Sequence, residues 1–236
     1  MLFCSAIANA ADLATAFNDA NKLYEQGKFR DAAANYEKII QSGSTSSTTF
    51  FNLGNAYLKS GQVGRAMVAY RSAQKLSPRD SNVRSNLQFA RNQAGGGDPA
   101  PTKRFQNVLG TLTLNEWTVL TAVPVSLFFV ALALRQWRGK EKNAFNGLIL
   151  SLGILSAVFV LCLAVVIRYE FYTQFSVVIV PEAVVRRGTF EESPSVFTLR
   201  DGAEVTVLDK NNGWLQIVDA AGRSGWMLDK QLMSLP

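Results

Sequence analysis

Three regimes of hydrophobic patterning divide the chain. Over the first ninety residues apolar positions recur every three or four residues with polar ones between, the spacing of one-sided helices. From Trp117 to Leu134 and from Ala144 to Ile167 the alternation stops, and 18 and 24 residues pass without a charge. Both runs come close to or exceed the roughly 20 apolar residues that cross a bilayer as a helix. From Ser176 onward the runs are short. SVVIV, AVVRR, AEVTVLD, GWLQIVD and SGWML are each bounded by Gly, Asn, Asp or Pro, which reads as five strands. The expected chain is multidomain: an α-helical solenoid, a two-helix transmembrane hairpin and a small all-β barrel.

The helical part repeats itself. A shift of 34 residues lays Ala20 on Gly54, Gly27 on Gly61, Phe29 on Val63, Ala32 on Ala66 and Tyr36 on Tyr70. That period, with small residues at two positions and an aromatic four later, resembles the tetratricopeptide (TPR) repeat. A generic helical hairpin is the plainer reading. Small residues let antiparallel helices approach, the tyrosines fill the gap to the next unit, and Gly27 and Gly61 end the first helix of each pair. Residues 82–93 then form a capping helix. We expect a TPR domain over 11–93, of two repeats and a cap.

TPR arrays bind peptides in the groove lined by their first helices. Asn18, Asn52 and Asn86 are spaced by 34, as are Asn21 and Asn55, and each first helix carries its pair three residues apart on one face. Asparagine offers both a donor and an acceptor, so this ladder suits the backbone of an extended peptide. Solvated polar positions, or side chains that only support the packing of their neighbours, would look the same in sequence. The carboxylate-clamp pattern of chaperone-binding TPRs is disfavoured, because Phe17, Asn82 and Asn86 stand where its cations would be.

Residues 94–104 begin with AGGGDPAP and read as a flexible linker. A membrane region over 105–168 follows, with spans at about 117–134 and 144–167. Thr113 is placed to cap the first span. The loop 135–143 holds Arg135, Arg138, Lys140 and Lys142 against Glu141, which makes it cytoplasmic by the positive-inside rule and puts both termini outside. Trp117, Trp137 and Tyr169 stand at the expected interfaces. The spans hold no charge, so a transporter has no polar pathway. Residues 1–10 end in Ala8-Asn9-Ala10, a small-x-small cleavage pattern, and read as the remnant of a signal peptide.

Composition narrows the chemistry. The chain is 48% hydrophobic and 18% charged, with net charge +6 spread along it rather than gathered, which argues against nucleic-acid binding. It has no His, and its two Cys, Cys4 and Cys162, fit neither a disulfide framework nor a metal site. No catalytic residue, metal ligand or cofactor is assigned, and a non-enzymatic protein is expected.

Residues 176–236 resemble a bacterial SH3-like domain, through Val185-Arg186, Leu199, Gly202, Gly213-Trp214 and Gly222-Arg223-x-Gly225-Trp226. Such domains are binding modules, some for peptidoglycan peptides. Trp214 and Trp226 are its candidate ligand surface, with barrel core as the alternative. Glu191, Glu192 and Asp209 read as solvated loop charges. The order of signal, TPR pair, linker, two membrane helices and SH3-like domain resembles the BatE-type proteins of bacterial aerotolerance operons. FNLGNAYLKSGQVGRAMVAYRSAQKLSPRD and GWLQIVDAAGRSGWM carry that resemblance most sharply. It implies a scaffold of the inner membrane, with both modules periplasmic, whose partners are von Willebrand A-domain membrane proteins and a MoxR-type ATPase. A peptidoglycan-binding envelope sensor is the second expectation.

Overall fold

A computed structural model describes residues 2–95, 112–137, 142–172 and 175–234. The Gly/Pro-rich stretch from residue 96 and residues 138–141 of the basic loop lie outside the described residues. The chain forms two compact units. One joins residues 1–101 to 174–236, and the other is 102–173.

The first unit opens with five helices, α1 (Leu2–Glu25), α2 (Phe29–Gln41), α3 (Ser47–Lys59), α4 (Val63–Leu76) and α5 (Ser81–Gln93), each packed on the next. Helix α1 runs unbroken through the Ala8–Ala10 cleavage pattern. Gly27 and Gly61 take φ of +75° and +81°, the left-handed conformation that reverses the chain after α1 and α3. Ala20, Ala32, Ala56 and Ala66 are fully buried where helices touch. Tyr36 and Tyr70 are buried beside them, and a Cβ on Gly54 would sit 2.6 Å from the Tyr70 ring.

Helix starts differ in how they are capped. Ser46 accepts from Thr49 N at 3.0 Å ahead of α3, and Asp80 accepts from Asn82 N at 2.8 Å ahead of α5. Gln62, ahead of α4, supplies no side-chain cap.

Seven strands follow, β1 (Phe175–Val178), β2 (Glu182–Arg186), β3 (Ser195–Arg200), β4 (Glu204–Asn211), β5 (Trp214–Asp219), β6 (Ser224–Leu228) and β7 (Leu232–Ser234). They form one antiparallel sheet in the order β3-β2-β6-β5-β4-β1-β7. Two more strands are present than the five expected. Strand β3 escapes the pattern because its exposed Val196 breaks the alternation, although Phe197 and Leu199 pack on the core. Strand β7 has three residues, too few for any periodicity. The barrel core gathers Val178, Ala183, Val185, Leu199, Val205, Leu215, Ile217, Met227 and Leu232.

The second unit is a pair of packed helices, α6 (Leu114–Trp137) and α7 (Lys142–Tyr172), both longer than the charge-free runs within them. Segments Leu114–Gln136 and Asn146–Arg168 are long and apolar enough to cross a membrane. Thr113 caps α6 as expected, and reciprocally. Its Oγ1 accepts from Glu116 N at 3.2 Å, while Glu116 Oε2 accepts from Thr113 N at 2.8 Å. Small side chains mark the contact: a Cβ on Gly153 would lie 3.2 Å from Phe128, and Thr121, Ala131 and Ser156 are buried. Leu127, Phe129, Leu150 and Leu161 stay exposed.

Candidate functional site: an asparagine-lined cavity and a charged seam

Four of the five asparagines form two bridges rather than a 34-spaced ladder. Asn21 Oδ1 accepts two hydrogen bonds, from the Tyr36 hydroxyl at 2.5 Å and from Asn52 Nδ2 at 3.3 Å. One repeat later, Asn55 Oδ1 accepts from the Tyr70 hydroxyl at 2.7 Å and from Asn86 Nδ2 at 2.9 Å. The bridges therefore link residues 31 apart, across successive first helices, rather than the 34-spaced set. Asn18 is exposed and makes no part of them.

The tyrosines set the polarity of these bridges. Burial raises the pKa of Tyr36, and the neighbouring Asn52 amide only partly opposes the rise; Tyr70 is raised in the same way against Asn86. Each phenol keeps its proton at neutral pH and donates it to an asparagine oxygen. With Oδ1 doubly occupied, Asn21 and Asn55 turn their Nδ2 groups elsewhere, and neither Nδ2 has a hydrogen-bond partner among the described residues. A third tyrosine, Tyr57, donates to Glu37; burial and that bond push its pKa up to about 12.

Asn21, Tyr24, Glu25, Tyr36, Asn52 and Asn55 line a cavity of about 140 Å³. An engineered apolar cavity of about 150 Å³ holds one benzene. The space is therefore that of a single side chain, not of a drug-sized ligand. Asn86 stands one bridge away.

A second constellation lies where the helices meet the barrel. The Asp201-Gly202 turn before β4 wedges against α4 and the end of α5. Asp201 supplies the cap that α4 lacks: Oδ2 accepts from Val63 N and Oδ1 from Gly64 N, each at 3.0 Å. Burial raises the Asp201 pKa, with the backbone N–H groups of Gly64, Val63 and Gly202 opposing it. Three residues on, Glu204 Oε1 takes Arg71 Nη2 at 2.7 Å and Arg91 Nε at 3.0 Å. Burial alone would raise its pKa, but the two guanidinium groups win and hold it at about 2. Val177 and Met233 of the barrel complete the helical core.

A faint signal for this seam lies in how the repeats differ. Gly64 stands where the first unit has Arg30, and Arg71 where it has Glu37. A Cβ on Gly64 would come within 2.1 Å of the Val178 carbonyl oxygen, so only glycine admits the barrel here.

Trp214 and Trp226 lie on adjacent strands. Trp214 pairs with Leu228 and Trp226 with Gln216, while the core residues Leu215 and Met227 pair between them. Alternation puts both tryptophans on the outer face, neither in the barrel core. Trp214 is 7% exposed, so Trp226, half-buried, offers more of that surface.

Comparison with known proteins bears on the barrel. Residues 180–232 match the family model described as Bacterial SH3 domain. The match runs from just before β2 to the first residue of β7, so this part of the chain is SH3-like. No curated protein matches the chain. Among the described residues, no group of three His, Cys, Asp or Glu is placed to hold a metal ion.

Proposed function

We propose that the chain is a non-enzymatic, membrane-anchored scaffold of the bacterial envelope. Helices α1–α5 act as a TPR-type array whose groove grips an extended segment of a partner protein, and the SH3-like barrel is fixed beside it. The observation that carries this reading is the repeated bridge. Tyr36–Asn21–Asn52 and Tyr70–Asn55–Asn86 recur with one repeat's offset, and they leave amide groups facing a cavity one side chain wide. Solvated polar positions would not share bonds across helices in this way.

Helices α6 and α7 are the two-pass anchor of this proposal. Their exposed Leu and Phe side chains support it, since a soluble protein seldom leaves such surface in water. Packing of the helical region against the barrel supports both lying on one side of the membrane, and the basic loop 135–143 supports that side being outside the cytoplasm. Cleavage near Ala10 belongs to the same reading. The resemblance to BatE-type aerotolerance proteins suggests the complex: von Willebrand A-domain membrane proteins and a MoxR-type ATPase. Affinity purification of the full chain from detergent-solubilised membranes tests it. Von Willebrand A-domain proteins should co-purify with the native chain and be lost with Asn52→Ala/Asn86→Ala. Equal recovery from both would overturn the groove as the contact.

The Bacterial SH3 match and the outward Trp226 favour a second reading, a peptidoglycan-binding sensor. Retention of the full chain on purified sacculi, reduced by Trp226→Ala, would support it; absence of retention would dismiss it.

A further inference from the structure

The lining of the cavity specifies more than an extended backbone. We infer that it selects a segment bearing a basic side chain, with Glu25 as the counter-charge; this rests on the groove reading above. The hydrogen-bond inventory leads there. The Oδ1 atoms of Asn21 and Asn55 are consumed by tyrosine and asparagine donors, which leaves their Nδ2 groups as donors for peptide carbonyls. Asn52 spends an Nδ2 hydrogen on Asn21, which leaves its Oδ1 as an acceptor for a peptide N–H. The asparagines thus match one peptide unit in both senses and carry no charge.

Glu25 is the one charged residue among the six that line the cavity. Its carboxylate has no ion pair or hydrogen bond with another side chain among the described residues, unlike Glu37, which holds Arg65 and Tyr57. Tyr24, the adjacent residue, brings an aromatic wall whose other side is braced edge-on by Phe29, at a centroid distance of 5.1 Å. A carboxylate beside an aromatic ring, in a space one side chain wide, suits a lysine or arginine. The apolar stem lies along the ring while the cation reaches the acid. An acidic side chain would meet like charge, and an aliphatic one would forgo the ion pair with Glu25, whose carboxylate is exposed. The corresponding position of the second repeat is Lys59, so the preference belongs to the first repeat alone and fixes the direction in which a segment lies.

The test uses the full chain in detergent and a fluorescent peptide series, Ser-Ala-Thr-X-Thr-Ala-Ser, with X as Lys, Arg, norleucine or Glu, read by anisotropy. The Lys and Arg peptides should bind about two- to fivefold tighter than the norleucine peptide, the scale of one exposed ion pair. Glu25→Gln should erase that preference, bringing the Lys and Arg peptides to the affinity of the norleucine peptide. Raising salt from about 50 mM to about 500 mM should weaken only the basic peptides. Equal binding of all four peptides, or a preference that survives Glu25→Gln, would overturn the charge selection and leave the groove standing. Failure of every peptide to bind, with Asn52→Ala changing nothing, would overturn both.

Discussion

Glu204 is the residue on which the seam most depends. It is largely buried between Arg71 and Arg91, and removing one partner of such a group strands the others. Glu204→Gln should lower stability by about 2–3 kcal/mol, read from the chemical denaturation midpoint followed by tryptophan fluorescence. Its folded pKa lies below its unfolded value, so the stabilisation is full above pH 4.5 and fades as pH falls toward about 2. Asp201 has the opposite sign. Its raised pKa means that burial of the charge costs stability at neutral pH, and protonation relieves that cost as pH falls through the folded value. The native chain should therefore lose stability between pH 4.5 and 2 by more than Glu204→Gln does. A parallel loss in both would show that Glu204 is not the titrating support.

At the scale of elements, packing depends on positions where a side chain has no room. Gly54→Ala drives a methyl group into Tyr70 and should cost about 1–3 kcal/mol by thermal or chemical unfolding. Gly64→Ala is different in kind. Its methyl group meets the backbone of Val178 and the Asp201 carboxylate, so it should leave α3 and α4 folded but lift the barrel from them. Limited proteolysis should then cut between residues 96 and 174 or within β1 faster than in the native chain; an unchanged digestion pattern would refute the wedge. Much of this was legible beforehand. The 34-residue shift located the helices, Gly27 and Gly61 marked their ends, and bounded apolar runs gave five of the seven strands. What escaped detection depends on contacts across the chain. The α4 cap lies 138 residues from its helix and leaves no local pattern. Likewise, the asparagines show their spacing in sequence but not which oxygen a buried tyrosine has claimed.

At the scale of the molecule, the helical region and the barrel pack as one unit rather than as beads on a linker. On the proposed reading, occupation of the groove would hold the outer face of β5 and β6 at a fixed distance from the same partner, so that two weak contacts act together. The anchor carries its own prediction. A cytoplasm-active reporter inserted near Lys140 should work and one fused after Pro236 should not; the reverse would invert the topology. The central claim is that the asparagine-lined cavity holds a segment of another protein, and a photo-crosslink from the groove tests it most directly. A benzoylphenylalanine placed at Asn18, exposed on α1 one turn from Asn21, should yield an adduct with a membrane protein in intact cells. That adduct should vanish with Asn52→Ala/Asn86→Ala and be absent when the probe is moved to Lys38 on α2. No adduct from Asn18, or one indifferent to the asparagine substitutions, would contradict the account.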